Sequence, residues 1–150
     1  MRDRIEKTVE LKAPVSRVWR ALIDHQEFGT WFGVRLEGPF VAGQAVRGRI
    51  THPGYEHLRW EAVVQRIEPE RLLSFTWHPY AIDQNKDYSS EPPTLVEFTL
   101  QKTATGTLLR IVESGFGKIP AGRRDEALRM NTQGWGFQMK NIKQHVEPAP

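Results

Sequence analysis

Ile5, Lys7, Val9 and Leu11 fall on one side of an alternating run, and Glu6, Thr8 and Glu10 on the other. A period of two predicts a half-buried strand, with Lys7 the polar member of the inner face, at its rim. After Ala13-Pro14-Val15-Ser16 the period changes. Val15, Val18, Trp19 and Leu22 recur at helical spacing, and proline suits a first helical turn because its missing N–H has no partner there anyway. A second short helix or turn carries His25 to Trp31, and Gly29 and Gly33 bound Thr30-Trp31-Phe32.

Residues 34–77 predict three or four strands, with turns at Glu37-Gly38-Pro39 and Ala42-Gly43-Gln44. Val46 to Thr51 is one strand, and His52 to Glu56 is a loop. Leu58, Trp60, Ala62 and Val64 alternate, then Leu73, Phe75 and Trp77, with a tight turn at Glu68 to Arg71. Two alternating runs joined by a short turn predict a hairpin. Thr94, Val96, Phe98 and Leu100 alternate again, and Leu109, Ile111 and Glu113 follow a turn at Thr105-Gly106. The opposite face of that last run carries Leu108, Arg110 and Val112, so its inner side is not clean.

Pro120 opens a helix to about Val146, on which Leu128, Trp135, Met139, Ile142 and Val146 form one stripe. Strands in succession without intervening helices imply an antiparallel sheet with one face to bury. The fold class is therefore α+β: a curved antiparallel sheet of about six or seven strands around a long C-terminal helix, with two short helices after the first strand. Residues 1–150 read as a single domain.

Two stretches break the pattern. Residues 78–93 are polar, rich in Pro, Ser and Asp, and without periodicity, which suits a lid or a disordered loop. Gly134 and Gly136 interrupt the long helix, each at a cost of about 1 kcal/mol relative to Ala. They mark either close packing on the sheet or room for a ligand beside Trp135.

Composition sharpens this picture only in places. Five Trp and seven Phe among 150 residues need burial or form a binding surface. The absence of cysteine excludes disulfides, thiolate metal sites and cysteine nucleophiles, and fits a reducing, cytoplasmic setting. No run approaches the length of a membrane span, and Met1 to Lys7 lacks the apolar run of a secretory signal. The net charge of +3 is spread among acids, so no nucleic-acid surface is expected. Pro148-Ala149-Pro150 reads as a frayed end.

Motif chemistry is sparse. His25, His52, His57, His78 and His145 show no metal-ligand spacing, so no metal and no cofactor are expected. Ser114 lies in Glu-Ser-Gly-Phe-Gly, which is not a nucleophile elbow. Gly134 to Met139 falls inside a helix, where a phosphate loop cannot form. Glu113 is either a carboxylate against apolar walls or a rim residue paired with Arg or Lys. Trp31, Trp60, Phe75, Trp77, Phe98, Ile111, Glu113, Trp135 and Met139 are the candidate cavity residues, because they converge between sheet and helix.

Several segments together resemble a known family. Residues 10–22 (ELKAPVSRVWRAL) resemble the entry strand and first helix of the START-like superfamily, also called SRPBCC or birch-pollen-allergen-like. Thr30-Trp31-Phe32-Gly33, residues 67–77 (IEPERLLSFTW), Glu113-Ser114-Gly115-Phe116 and Gln133-Gly134-Trp135 with Ile142-Lys143-Gln144 resemble one branch. That branch is similar to the C-terminal domain of the activator of the heat-shock-protein-90 ATPase. The resemblance implies a helix-grip fold with a cavity for a small hydrophobic molecule. It also implies a chaperone partner, although the co-chaperone's separate N-terminal domain has no room in this chain. Some superfamily members are cyclases or hydrolases.

Three functions follow as expectations. The first is a module that binds a small hydrophobic or aromatic ligand, oriented by groups such as Glu113, His78 or Tyr80. The second is a chaperone-associated regulator. The third is a cyclase or hydrolase, for which Glu113 lacks a companion, so binding is favoured over catalysis. A homodimer is among the expected states.

Overall fold

The computed structural model describes residues 3–81, 83 and 85–148. Ile82 and Gln84, within the predicted loop, lie outside the described residues, as do Met1, Arg2, Ala149 and Pro150 of the two terminal segments.

Strand β1 (Arg4–Leu11) leads into helix α1 (Val15–Ile23) and helix α2 (His25–Phe32). Pro14 precedes α1, and Asp24 caps α2 by accepting from the backbone N–H groups of Gln26 and Glu27 at 2.9 and 3.1 Å. Gly33 ends α2 at φ 90°, a left-handed conformation that favours glycine. Six strands then run in sequence: β2 (Val34–Leu36), β3 (Ala45–Ile50), β4 (Arg59–Glu68), β5 (Leu72–Trp77), β6 (Thr94–Lys102) and β7 (Thr107–Ser114). A short 3-10 turn at Phe116–Lys118 precedes helix α3 (Ala121–Val146).

The seven strands form one antiparallel sheet in the order β1-β7-β6-β5-β4-β3-β2. The two short helices carry the chain from one sheet edge to the other, and the meander returns to pair β7 with β1. A register shift between Val64 and Arg66 marks a bulge in β4, which bends a strand locally. The predicted architecture is the observed one, including seven strands, two short helices and one long one.

Alternation accounts for the core. Trp60, Ala62 and Val64 of β4 are buried while Glu61, Val63 and Gln65 are exposed. On β7, Leu109, Ile111 and Glu113 all point inward and are fully buried, and Val112 on the other face is also largely covered. Each apolar side chain so buried contributes about 1.5–3 kcal/mol.

Helix α3 is 26 residues long, about 39 Å at 1.5 Å per residue. It packs on β1, α1 and α2 through Ala127, Trp135, Met139, Ile142 and Val146, with Leu128 partly buried. Its last turns are tied to α1 and α2 by Glu27. That carboxylate meets Arg17 at 2.8 Å, Arg20 at 2.7 Å and His145 at 2.9 Å. Among the described residues no helix is long and apolar enough to cross a membrane.

Candidate functional site

Antiparallel register sets Glu113 opposite Val96 on one side and Ile5 on the other, so its side chain enters the sheet–helix interface. Four side chains meet it there. Trp77, at the end of β5, donates its indole N–H to Oε2 at 2.7 Å. Thr94, which pairs with Trp77, donates its hydroxyl to the same oxygen at 2.6 Å. From α3, Trp135 donates to Oε1 at 2.8 Å, and Asn131, one turn earlier, spans both oxygens at 3.0 and 3.3 Å.

All four partners are neutral, and no cation pairs with Glu113 among the described residues. Neither reading from the sequence describes this site fully: Glu113 is no rim residue in an ion pair, and its surroundings are polar at every donor. Its structural effect is on the two indoles, whose rings stack at 5.8 Å and 30° because one carboxylate holds both N–H groups.

Of the nine predicted cavity residues, Trp60, Phe75, Trp77, Phe98 and Trp135 pack on one another. Trp60 lies 5.6 Å from Phe75 and 5.8 Å from Trp77, and Phe98 lies 5.8 Å from Phe75 and 5.7 Å from Trp135. Trp31 donates to the Ala21 carbonyl at 2.8 Å and packs edge-on against Phe28. Phe75, Phe98, Ile111 and Glu113 are fully buried and Met139 nearly so. Rings fill the middle of the interface, and the space that remains opens at its side.

That space has three connected parts. A notch of about 90 Å³ is walled by Phe32, Trp77, Trp135, Asn131, Gly134 and Gln138. A cleft of about 260 Å³ continues past Trp77 and Asn131 to Trp60, His78, Tyr80 and Tyr88. A wide groove of about 800 Å³ leaves the notch past Phe32, Gly134 and Gln138, between α3 and the β3–β4 loop. Trp31, Trp60, Trp77 and Trp135 therefore reach the open space, and the other five predicted residues stand behind it. Trp60, a wall of the cleft, carries a buried indole N–H with no hydrogen-bond partner among the described residues.

Gly134 stands where notch and groove join. A Cβ built on it, or on Gly136, meets nothing within 4 Å. Close packing on the sheet is therefore not what these glycines serve, and at Gly134 the room lies beside Trp135.

The described residues of the 78–93 segment form one wall of the cleft and are fastened to α3. Arg123, in the first turn of α3, donates to the Glu91 carboxylate at 2.8 and 3.0 Å and to the carbonyls of Pro79 and Tyr80 at 2.9 and 3.0 Å. Its guanidinium lies 4.7 Å from the Tyr88 ring centre, a cation–π contact. The hydrogen bond from Arg123 holds the Glu91 carboxyl below the ordinary carboxylate value, against burial and with help from Lys86. Tyr80 has a positive φ of 52°. Burial first, then the charge and hydrogen bond of Glu126, push its hydroxyl up.

Asn131, Gln138, Glu91 and Arg123 were not singled out from the sequence, and Phe32 only as part of the Thr30–Gly33 motif. Asn131 carried a signal: it sits four residues before Trp135, on the same helical face. No three His, Cys, Asp or Glu form a metal-binding group among the described residues.

Comparison with known proteins places this geometry. The family model described as Activator of Hsp90 ATPase homolog 1-like protein matches residues 12–147. No functionally curated protein matches the chain. Among solved structures, a protein from Arthrobacter aurescens superposes with a TM-score of 0.78 at 19% identity, covering 97% of this chain and 87% of that one. The Aha1 dimer from Colwellia psychrerythraea gives 0.73 at 16% identity, covering 96% of each. DynU16, from the dynemicin biosynthetic locus, gives 0.75 at 23% identity; 97% of this chain is covered, and it spans 48% of the DynU16 chain. At these identities the solved structures show a shared fold.

Proposed function

The chain belongs to the Activator of Hsp90 ATPase homolog 1-like family, and we propose that it binds a small hydrophobic or aromatic molecule in the notch and cleft between its sheet and its C-terminal helix. One observation carries this reading. The stacked indoles of Trp77 and Trp135, held by Glu113, wall an apolar notch that Gly134 leaves unfilled. Sites for small molecules are commonly concave and apolar with a few placed polar groups. Here Asn131, which lines both notch and cleft, supplies a polar group at the wall.

Catalysis has less support. Glu113 is fully buried behind its four donors, and no second carboxylate or histidine bonds to it among the described residues. Native mass spectrometry of the freshly purified protein tests the binding reading. A discrete apolar compound, lost on Trp77→Ala, is the expected result. Bare protein that also fails to bind aromatic probes by calorimetry would sink it.

The family's description favours a second reading, a chaperone-associated regulator. Tyr55 and Phe137, each 52% exposed, would be its contact aromatics. Stimulation of a heat-shock-protein-90 ATPase, abolished by Phe137→Ala, is the result that distinguishes it. The likeness to a solved dimer extends either reading to a homodimer, which light scattering on the eluting protein reports.

A further inference from the structure

The wide groove differs from the rest of the surface in its charge. Sixteen residues line it, and none is Asp, Glu, Lys or Arg, in a chain of which 26% is charged. Its α3 wall is one helical stripe, Gly134, Phe137, Gln138, Asn141 and Gln144, next to the buried stripe. Opposite stand Thr51, His52 and Tyr55 of the β3–β4 loop. The polar groups on these walls are amides, hydroxyls and imidazoles. His145 at the far end is taken by Glu27, and His52 packs against Tyr55 at 5.5 Å.

The α3 wall is also ordered. Gln138 donates to the Phe32 carbonyl at 2.8 Å, and Asn141 donates to the Gln138 side-chain oxygen at 3.1 Å. This chain of amides fixes Gln138 at the passage from notch to groove and Asn141 along the groove.

A charged group that gives up water against these walls would find no carboxylate, ammonium or guanidinium among the lining residues to pair with, which is unfavourable. Neutral hydroxyls or amides exchange water for the side-chain amides and hydroxyls at little cost, and the exposed faces of Tyr55 and Phe137 suit the flat apolar side of such a group. We infer that the ligand is an uncharged amphiphile, with its aromatic or apolar head in the notch and a neutral, hydroxyl- or amide-bearing tail along the Gln138–Asn141–Gln144 stripe. This rests on the binding reading above and adds the class of ligand. The net charge of +3 would favour anions at long range, so the inferred preference runs against the field of the whole molecule.

Three coumarins that share one head test it by calorimetry: 7-methoxy-4-methylcoumarin, 4-methylumbelliferyl β-glucoside and 4-methylumbelliferyl sulfate. The glucoside is expected to bind about tenfold tighter than the sulfate and at least about threefold tighter than the methyl ether. Gln144→Lys, at an exposed position, is expected to close the gap between glucoside and sulfate by about tenfold. If the sulfate equals the glucoside, if the methyl ether equals it, or if Gln144→Lys leaves the gap unchanged, the groove does not hold a neutral tail, while the notch reading survives on the methyl ether. If none of the three binds at up to about 1 mM, both readings fall together.

Discussion

Glu113 accepts hydrogen bonds from two indoles, a hydroxyl and an amide, so its exchange for glutamine is not conservative. A carboxylate is acceptor-only, whereas a glutamine amide turns one oxygen into an NH₂ donor, and either oxygen faces an indole N–H that can only donate. Glu113→Gln is therefore expected to cost about 2–3 kcal/mol, the price of leaving buried donors unpaired. A lower urea midpoint with an unchanged slope would report it; a midpoint within error of the parent would mean the four donors find other acceptors. Gly134→Ala should act in the opposite direction. Helix propensity favours Ala by about 1 kcal/mol, and the added methyl meets nothing within 4 Å. The variant is expected to be more stable and to bind coumarin probes more weakly, because its methyl stands in the passage between notch and groove. Greater stability with unaltered binding would place the ligand elsewhere.

At the scale of elements, alternation and the helical stripe made most of the fold legible in the sequence. β1, β4, β5 and β6 each alternate, with Lys7, Val63, Leu72 and Leu95 as the departures, and the stripe from Trp135 to Val146 announces α3. The resemblance then added the family. The site was only half legible. Inward placement of Glu113 follows from Leu109 and Ile111, but its donors come from β5, β6 and α3 and depend on a register no local pattern contains. The convergence of Trp60, Phe75, Trp77, Phe98 and Trp135 was also readable, yet whether rings enclose space or fill it depends on their tilts. The 78–93 segment was least legible, because its order is imposed by Arg123, some thirty residues from Glu91. Arg123→Ala removes the main partner of a buried carboxylate, leaving Lys86 at 3.3 Å, and the donors to two carbonyls. Breaking a buried pair from one side typically costs about 3–5 kcal/mol, and much of that cost should fall on the loop, whose backbone can open locally. Hydrogen exchange is expected to accelerate selectively in peptides covering 85–91, with the β-sheet unchanged. Uniform acceleration across the sheet would show that the tether supports the whole fold.

At the scale of the molecule, Glu91, Glu27 and Glu6 join parts distant in sequence, and each is held below the ordinary carboxylate range. Glu91 ties the cleft wall to α3. Glu27 joins the three helices; burial alone would raise it, but hydrogen bonds from His145, Arg17 and Arg20 together lower it. Glu6 pairs β1 with Arg110 on β7 and is lowered to about 2 by hydrogen bonds from Arg110 first and Arg4 second. Being exposed, it is screened by salt and contributes least. A carboxyl lowered on folding binds fewer protons in the native state than in the unfolded one. Its contribution is therefore complete above the unfolded value of about 4.5 and lost as pH falls through the lower, folded value. The urea midpoint is expected to be level in this respect from pH 7 to about 5 and to fall steadily below about 4.5. Glu27→Gln combined with Glu91→Gln should lower the midpoint at pH 7 and flatten its decline in acid, since a neutral amide has no proton to take up. An equally steep decline in the double variant would assign the acid sensitivity to other carboxylates. Loss of the Glu91 tether should also precede global unfolding, so exchange of the 85–91 backbone is expected to rise in acid while the sheet is still protected.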